Sequence, residues 1–304
     1  MRRALFTDMT ERNLYMYQVD NAIIMAAGAS SRFAPLSVEY PKALIEVRGE
    51  VLIERQIKQL QQAGIGDIYV VVGYMGHCFD YLQEKLGVHI VKNDAYLYRN
   101  NNSSIYAVKD IIKNSYICSA DNYFTQNPFT DTVEESYYAA VYADGETAEW
   151  CMQEDQNGYI TDVQVGGRGS WYMLGHVFWS EEFSRKFIDI LLAEYDLPET
   201  APLLWESIFV NHIDELKMKI RKYQSDFIFE FDTLDELRVF DTSYVFDTRS
   251  KILKDIASKL GVLESDIVNV TSYKGENTTA AGVCFDVKGQ TYRYDYEQKQ
   301  IESL

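Results

Sequence analysis

Between Ile23 and Leu44 an apolar strand (Ile23, Ile24, Met25) breaks into the small residues Ala26, Ala27, Gly28 and Ala29. It then passes Ser30, Ser31 and Arg32 and reaches Pro41 and Lys42. A turn of small residues lets backbone N–H groups approach a phosphate chain closely, and Arg32 and Lys42 bring the cations a triphosphate requires. The spacing is neither G-x-x-x-x-G-K-[ST] nor G-x-G-x-x-G, because Gly28 stands alone in the turn.

The order Ala26, Ala27, Gly28, Ser31, Arg32, then Pro41, Lys42 and Leu44, resembles the opening motif of the nucleotidyltransferases that activate sugars and small phosphorylated alcohols, A-A-G-x-x-S/T-R followed by P-K-x-L. That resemblance implies Arg32 and Lys42 as the catalytic cations. It also implies a nucleotide held by Ala26, Ala27, Gly28, Ser30 and Ser31.

Strand and helix signals alternate through the first half of the chain. Ile53, Ile57 and Leu60 recur at helical spacing before Gly64. A strand at Ile68 to Val72 stops at Gly73, a helix spans Phe79 to Leu86, and short strands follow at His89 to Val91 and Tyr116 to Ser119. Such alternation predicts a parallel sheet with crossover helices and a ligand beyond the carboxyl ends of the strands.

Aromatic-rich β segments follow at 137–142, 160–165 and 172–179. Helices are expected at 181–194 and 203–212, and strands at 218–222 and 228–231. The fold class is therefore α/β, a Rossmann-like mixed, mainly parallel sheet flanked by helices. The resemblance specifies the nucleotide-diphospho-sugar transferase type, with a small α+β C-terminal appendage. The boundaries fall at a lead segment of residues 1–20, a nucleotidyltransferase domain of 21–245 and a small module of 246–304.

The chain of 304 residues carries a net charge of −17, so nucleic acid is an unfavourable partner. Four cysteines, Cys78, Cys118, Cys151 and Cys284, form no C-x-x-C pair, which argues against a zinc site and a disulfide framework. No apolar run approaches the ~18 residues of a membrane span, and the N-terminus lacks the apolar stretch of a secretory signal. The expected compartment is the cytoplasm. About twenty residues precede the catalytic strand, too few for a DNA-binding fold.

Nucleotidyl transfer brings two anions together, so charge neutralisation and in-line alignment matter more than covalent work. Mg²⁺ held by one or two carboxylates suits this task. Asp121 and Asp232 stand at strand ends and are the expected metal pair. By resemblance, Ala120-Asp121-Asn122-Tyr123 matches the family's metal-binding Asp after its central strand, and Glu230-Phe231-Asp232-Thr233 its second acidic site. Glu230 is a further candidate.

A longer likeness runs from Asn21 to Phe240. Val91, Asn93, Asp94, Tyr96, Asn100, Asn101, Ser104 and Tyr106, the Asp121 segment, Glu149-Trp150, Gly175-His176-Val177-Phe178-Trp179, Leu204-Trp205-Glu206 and Glu230-Phe231-Asp232 together resemble bacterial CTP:phosphocholine cytidylyltransferases. The implied substrates are CTP and phosphocholine, the implied products CDP-choline and pyrophosphate. A quaternary ammonium is bound through aromatic faces. Trp150, Tyr172 and Trp205, with Glu206, are the expected acceptor residues. Gly73, Tyr74, Asn93, Asn100, Asn101 and Asp121 are expected on the nucleotide.

In the family an Asp usually follows the second of these tryptophans, and here Glu206 stands there. Phosphoethanolamine thus stays open as acceptor, as does a sugar 1-phosphate. A non-catalytic nucleotide-binding regulator is the alternative of another class, and a homodimer is left open.

From Thr248 a helix ending at Gly261 and three strands, 267–273, 282–287 and 291–296, form the last module. Lys274 to Thr279, Val283-Cys284-Phe285, Lys288-Gly289-Gln290 and Tyr292-Arg293-Tyr294 resemble the first strands and phosphate loop of a choline-kinase-like N-lobe. No catalytic loop follows, so kinase activity is not expected. A plain β-hairpin appendage is the equal alternative.

Overall fold

A computed structural model describes residues 16–274 and 280–304. The first fifteen residues and Gly275–Thr279 of the phosphate-loop-like turn lie outside them. The main sheet has seven strands: β1 (Asn21–Ala26), β2 (Ile68–Val72), β3 (His89–Lys92), β4 (Ser115–Ser119), β5 (Tyr137–Glu154), β6 (Ile160–Trp179) and β7 (Lys219–Tyr223). Their spatial order is β7-β5-β6-β4-β1-β2-β3. Pairing is parallel from β4 through β1 and β2 to β3, and again between β5 and β7, whereas β6 runs antiparallel to both β5 and β4.

The parallel half consists of short apolar strands buried on both faces. Ile23, Ile24, Val70, Val71, Ile117 and Cys118 are all nearly inaccessible, as expected where crossover helices cover a sheet. The covering helices include α1 (Leu52–Gln62), α2 (Tyr81–Leu86), α3 (Asn102–Ala107), α4 (Glu181–Glu194) and α5 (Trp205–Asn211), whereas α6 (Leu234–Phe240) packs in a separate cluster. Ser180 caps α4 through its side chain, and Thr233 with Glu236 forms a full capping box on α6.

The segments expected at 137–142, 160–165 and 172–179 are parts of one ribbon, β5 with β6, of 18 and 20 residues. Its outer half carries exposed Asp144, Gly145 and Glu146 and bends through several register shifts.

Beyond helix α7 (Lys251–Leu260), which ends at Gly261 in the left-handed conformation, lies a separate antiparallel sheet. Its strands are β8 (Ile267–Lys274), β9 (Ala280–Val287), β10 (Gln290–Asp295) and β11 (Ile301–Ser303), paired in chain order. The last of these is an addition to the expected three. Among the described residues no helix is long and apolar enough to cross a membrane.

Candidate active site

β1, β2 and β4 are parallel and end on the same side, at Ala26, Val72 and Ser119. Just beyond those ends a cavity of about 270 Å³ opens. It is walled on one side by Ala26, Ala27, Gly28, Ser30 and Lys42, on the other by Asn93, Tyr96, Arg99, Asn101 and Ser104, with Ser119 and Asp121 at its base. A Cβ at Gly28 would meet no atom within 4 Å, so packing does not require glycine there. The space is open to a ligand that must come close to the backbone.

Gly73 and Tyr74 stand behind this wall. A Cβ on Gly73 would lie 2.9 Å from the Ala27 carbonyl oxygen and 2.6 Å from Tyr96 Cγ, and the Tyr74 N–H donates to that same carbonyl at 3.0 Å. They shape the loop without lining the cavity.

Pro41 keeps the chain extended before the short turn Lys42–Leu44, whose Ala43 and Leu44 are buried. The Lys42 side chain is only 3% exposed and reaches three carboxylates: Asp121 Oδ2 at 2.9 Å, Asp232 Oδ1 at 3.5 Å and Glu230 Oε1 at 3.9 Å. Burial pulls the ammonium's pKa down, but attraction to Asp121, Glu230 and Asp232 prevails and leaves it raised. Asp232 also meets Arg32, whose Nη1 lies 2.7 Å from Oδ2 while its side chain stays 75% exposed. The carboxyl of Glu230 is pushed up to about 8, first by Asp121 and then by burial.

More negative charge is gathered here than one lysine neutralises, on hard oxygen donors. Asp121 and Asp232, converging on one ammonium, fit a magnesium ion. Among the described residues no three acidic, His or Cys side chains cluster as a complete metal centre. Substrate oxygens and water would therefore complete the coordination.

A second cavity of about 200 Å³ adjoins the first at Ser119. Its walls include Tyr138, Glu149, Trp150, Leu204, Glu206 and Glu230. Burial raises the Glu206 carboxyl to about 7, although Asn101 Nδ2 donates to it at 3.1 Å and the Tyr138 hydroxyl at 3.3 Å. Tyr172 stands close by. Its hydroxyl pKa is raised by burial and then by Glu149 and Glu230.

Trp205 corrects the expectation placed on it. At 2% exposure it does not line the cavity. Its ring stacks on Tyr138 at 5.7 Å and meets Trp179 edge-on at 5.2 Å, because the apolar face of α5 turns into the core. Tyr138, which the sequence reading passed over, presents the cavity-lining aromatic ring in its place.

Asn93, Asn100 and Asn101 all line the first cavity, and their amides also bond within the protein. Asn93 Nδ2 donates to the Ser103 and Ser104 hydroxyls at 2.8 and 3.2 Å, and Asn100 Nδ2 to the Pro202 carbonyl at 3.0 Å. Asn101 Oδ1 accepts from the Trp205 N–H at 2.7 Å. These amides brace the wall of the nucleotide cavity. Arg99, likewise unmarked in the sequence reading, lines that cavity with its guanidinium 3.7 Å from the Tyr195 ring centroid.

Residues 22–219 match the MobA-like NTP transferase domain family. The choline-phosphate cytidylyltransferase of Streptococcus pneumoniae is 36% identical over 217 residues, 71% of this chain and 95% of that protein. The chain belongs to the nucleotidyltransferases. A solved CTP:phosphocholine cytidylyltransferase from the same organism superposes with a TM-score of 0.71 at 35% identity, covering 75% of this chain and 99% of that one. The 2-aminoethylphosphonate cytidylyltransferase of Lancefieldella rimae is 36% identical over 76% of this chain and 95% of its own length. The nucleotidyltransferase thus has the nucleotide-diphospho-sugar transferase fold, and Lys42, which lines the crevice beside the small-residue turn, pairs with both Asp121 and Asp232.

Proposed function

We propose that the chain transfers the cytidylyl group of CTP to phosphocholine, giving CDP-choline and pyrophosphate. The single observation that carries the acceptor assignment is the second cavity. Glu149, Glu206 and Glu230 gather there with Trp150 and Tyr138, in a cavity that shares Ser119 with the nucleotide cavity. Carboxylates and aromatic faces together suit a cationic alkylammonium. A sugar 1-phosphate would bring hydroxyls and no positive charge to those acids. The relatives named for choline phosphate agree with this choice.

In the reaction an acceptor phosphate oxygen attacks the α-phosphorus, the bond to the bridging oxygen of the β-phosphate breaks, and pyrophosphate leaves. Magnesium held by Asp121 and Asp232 would supply charge neutralisation at the phosphates. Lys42 is held by its carboxylates in the crevice wall, where its ammonium opposes charge accumulating on the transferring group. Arg32, largely exposed, meets the departing pyrophosphate. The small residues from Ala26 to Ser30 admit the triphosphate to the backbone. Trp150 and Tyr138 contact the alkylammonium and the acids offset its charge. No covalent intermediate is required.

A primary amine is a second reading, an aminoalkyl phosphate or phosphonate. Three carboxylates can accept N–H bonds that choline does not offer, and one relative is named for such an acceptor. Pyrophosphate release from CTP and Mg²⁺ across phosphocholine, phosphoethanolamine, 2-aminoethylphosphonate and glucose 1-phosphate tests both. Turnover on the sugar phosphate alone overturns both.

A further inference from the structure

We propose that the C-terminal unit is a positioning element for the nucleotide site: its sheet presets the loop carrying Arg32 and the helix that follows Asp232. The proposal rests on the reading of the first cavity as a CTP site. The family match ends at residue 219, and 75% of this chain already accounts for 99% of the solved S. pneumoniae enzyme. The sheet at 267–303 is thus outside the family match, yet its buried side chains belong to a cluster shared with the preceding domain.

The apolar faces of Val283, Phe285, Val287 and Tyr294 form one cluster with Phe33, Leu36, Phe231 and Leu234. Phe33 follows Arg32 in the chain, and Phe231 precedes Asp232. The two residues of the 2.7 Å Arg32–Asp232 pair are therefore each one position from a side chain buried in that shared cluster.

Polar ties run along the same seam. The Lys251 N–H donates to Glu39 Oε1 at 2.8 Å, binding the start of α7 to the end of the signature loop. Arg238 on α6 donates through Nη1 to the Ile267 carbonyl at 2.6 Å and through Nη2 to that of Glu264 at 2.7 Å. The Asn269 N–H returns a bond to Asp235 Oδ2 at 2.8 Å. An exposed arginine on a short turn has few contacts to hold it. Removing the ground beneath Phe33 and Phe231 releases both partners at once.

The seam is not a sealed core. Ser37 Oγ, Glu39 Oε2 and Tyr296 OH are buried without a hydrogen-bond partner among the described residues. Unsatisfied buried oxygens are costly, so the packing of the seam rests on its apolar side chains more than on these polar atoms.

The test uses full-length protein. Phe285→Ala opens the shared cluster, Phe285→Leu refills most of it, and Leu191→Ala opens a similar hole in the separate core beneath α4. CTP affinity is measured by calorimetric titration without acceptor, beside thermal stability and steady-state kinetics. The expected result is CTP binding weakened about tenfold in Phe285→Ala, phosphocholine KM unchanged, and recovery in Phe285→Leu. Leu191→Ala should lose comparable stability and keep its CTP affinity. Phe285→Ala that stays folded and binds CTP as the wild type does, or no more weakly than Leu191→Ala, overturns the proposal. Failure of the wild type itself to bind CTP would instead overturn the functional reading on which it rests.

Discussion

The Asn101 amide nitrogen donates to Glu206 Oε2 at 3.1 Å, so a residue lining the nucleotide cavity holds a carboxyl group of the adjoining one. Burial raises that carboxyl to about 7 from its ordinary 4.5, so the folded protein without ligand favours the protonated acid only below about pH 7. The associated stability is complete below the ordinary value and is lost as pH rises through about 7. A cationic acceptor favours the carboxylate and binds more tightly over the same interval. The KM for phosphocholine should fall as pH rises from about 6 to about 8, and Glu206→Gln should remove the part of that fall due to this group. Superimposable profiles for wild type and variant would dismiss Glu206 as the titrating contact.

Trp150 and Trp205, both expected at the acceptor from the sequence, should separate cleanly. Trp150 lines the acceptor cavity, so Trp150→Ala should raise the phosphocholine KM by about 5- to 30-fold, the range of a desolvated cation–π contact, with a small change in Tm. Trp205 is packed among Tyr138, Trp179 and Phe187. Trp205→Ala should cost about 3–5 kcal/mol of stability. Denaturant titrations run beside acceptor kinetics would reveal the opposite pattern if the roles were reversed.

Much of this site could be read in the chain because its signals are local. An apolar run ended by small residues marks β1 and its turn, and Pro41 fixes where Lys42 departs. What escaped depends on neighbours far away in sequence. Trp205 and Glu206 are adjacent, and successive helical positions point about 100° apart. One therefore enters the core while the other enters the cavity, and composition alone cannot say which. Helix α3 was hidden by Asn102, Ser103 and Ser104, residues that favour turns until tertiary partners take their side chains. The outer ribbon of β5 and β6 is polar and glycine-containing, so it lacks the alternation that betrays a half-buried strand. By contrast, the capping box of Thr233 and Glu236 was present in the sequence and went unread.

His176 gives a prediction about stability in acid. Its ring is inaccessible, its Nε2 lies 2.9 Å from the Tyr137 hydroxyl, and Tyr116, Phe124 and Phe129 surround it. Burial, and then Arg221, depresses its pKa to about 3 from 6.5. A depressed histidine contributes stability that is present above its ordinary value and lost as pH falls toward the folded one. The protein should lose about 1.4 kcal/mol for each unit below about 6 through this group. His176→Gln keeps a partner for Tyr137 and should flatten the slope in urea denaturation between about pH 6 and about pH 4. Parallel slopes would assign the acid sensitivity elsewhere.

Lys42 is the residue on which the crevice balances. Its ammonium lies within 4 Å of Asp121, Asp232 and Glu230 at once, whereas Arg32 pairs among the described residues with Asp232 alone and is open to solvent that screens the pair. Lys42→Met keeps the length and apolar stem of the side chain but removes the charge, which in the wild type lies 5.8 Å from the Phe33 ring centroid. It should lower kcat by about 100- to 1,000-fold, the usual loss on deleting one group aimed at developing charge. Arg32→Ala should reduce turnover less and leave Tm almost unchanged. Single-turnover CTP consumption with phosphocholine, read beside circular dichroism to confirm folding, makes the comparison. A folded Lys42→Met protein within a few-fold of wild-type turnover would remove Lys42 from the chemistry and leave it a purely structural counterion for the three acids.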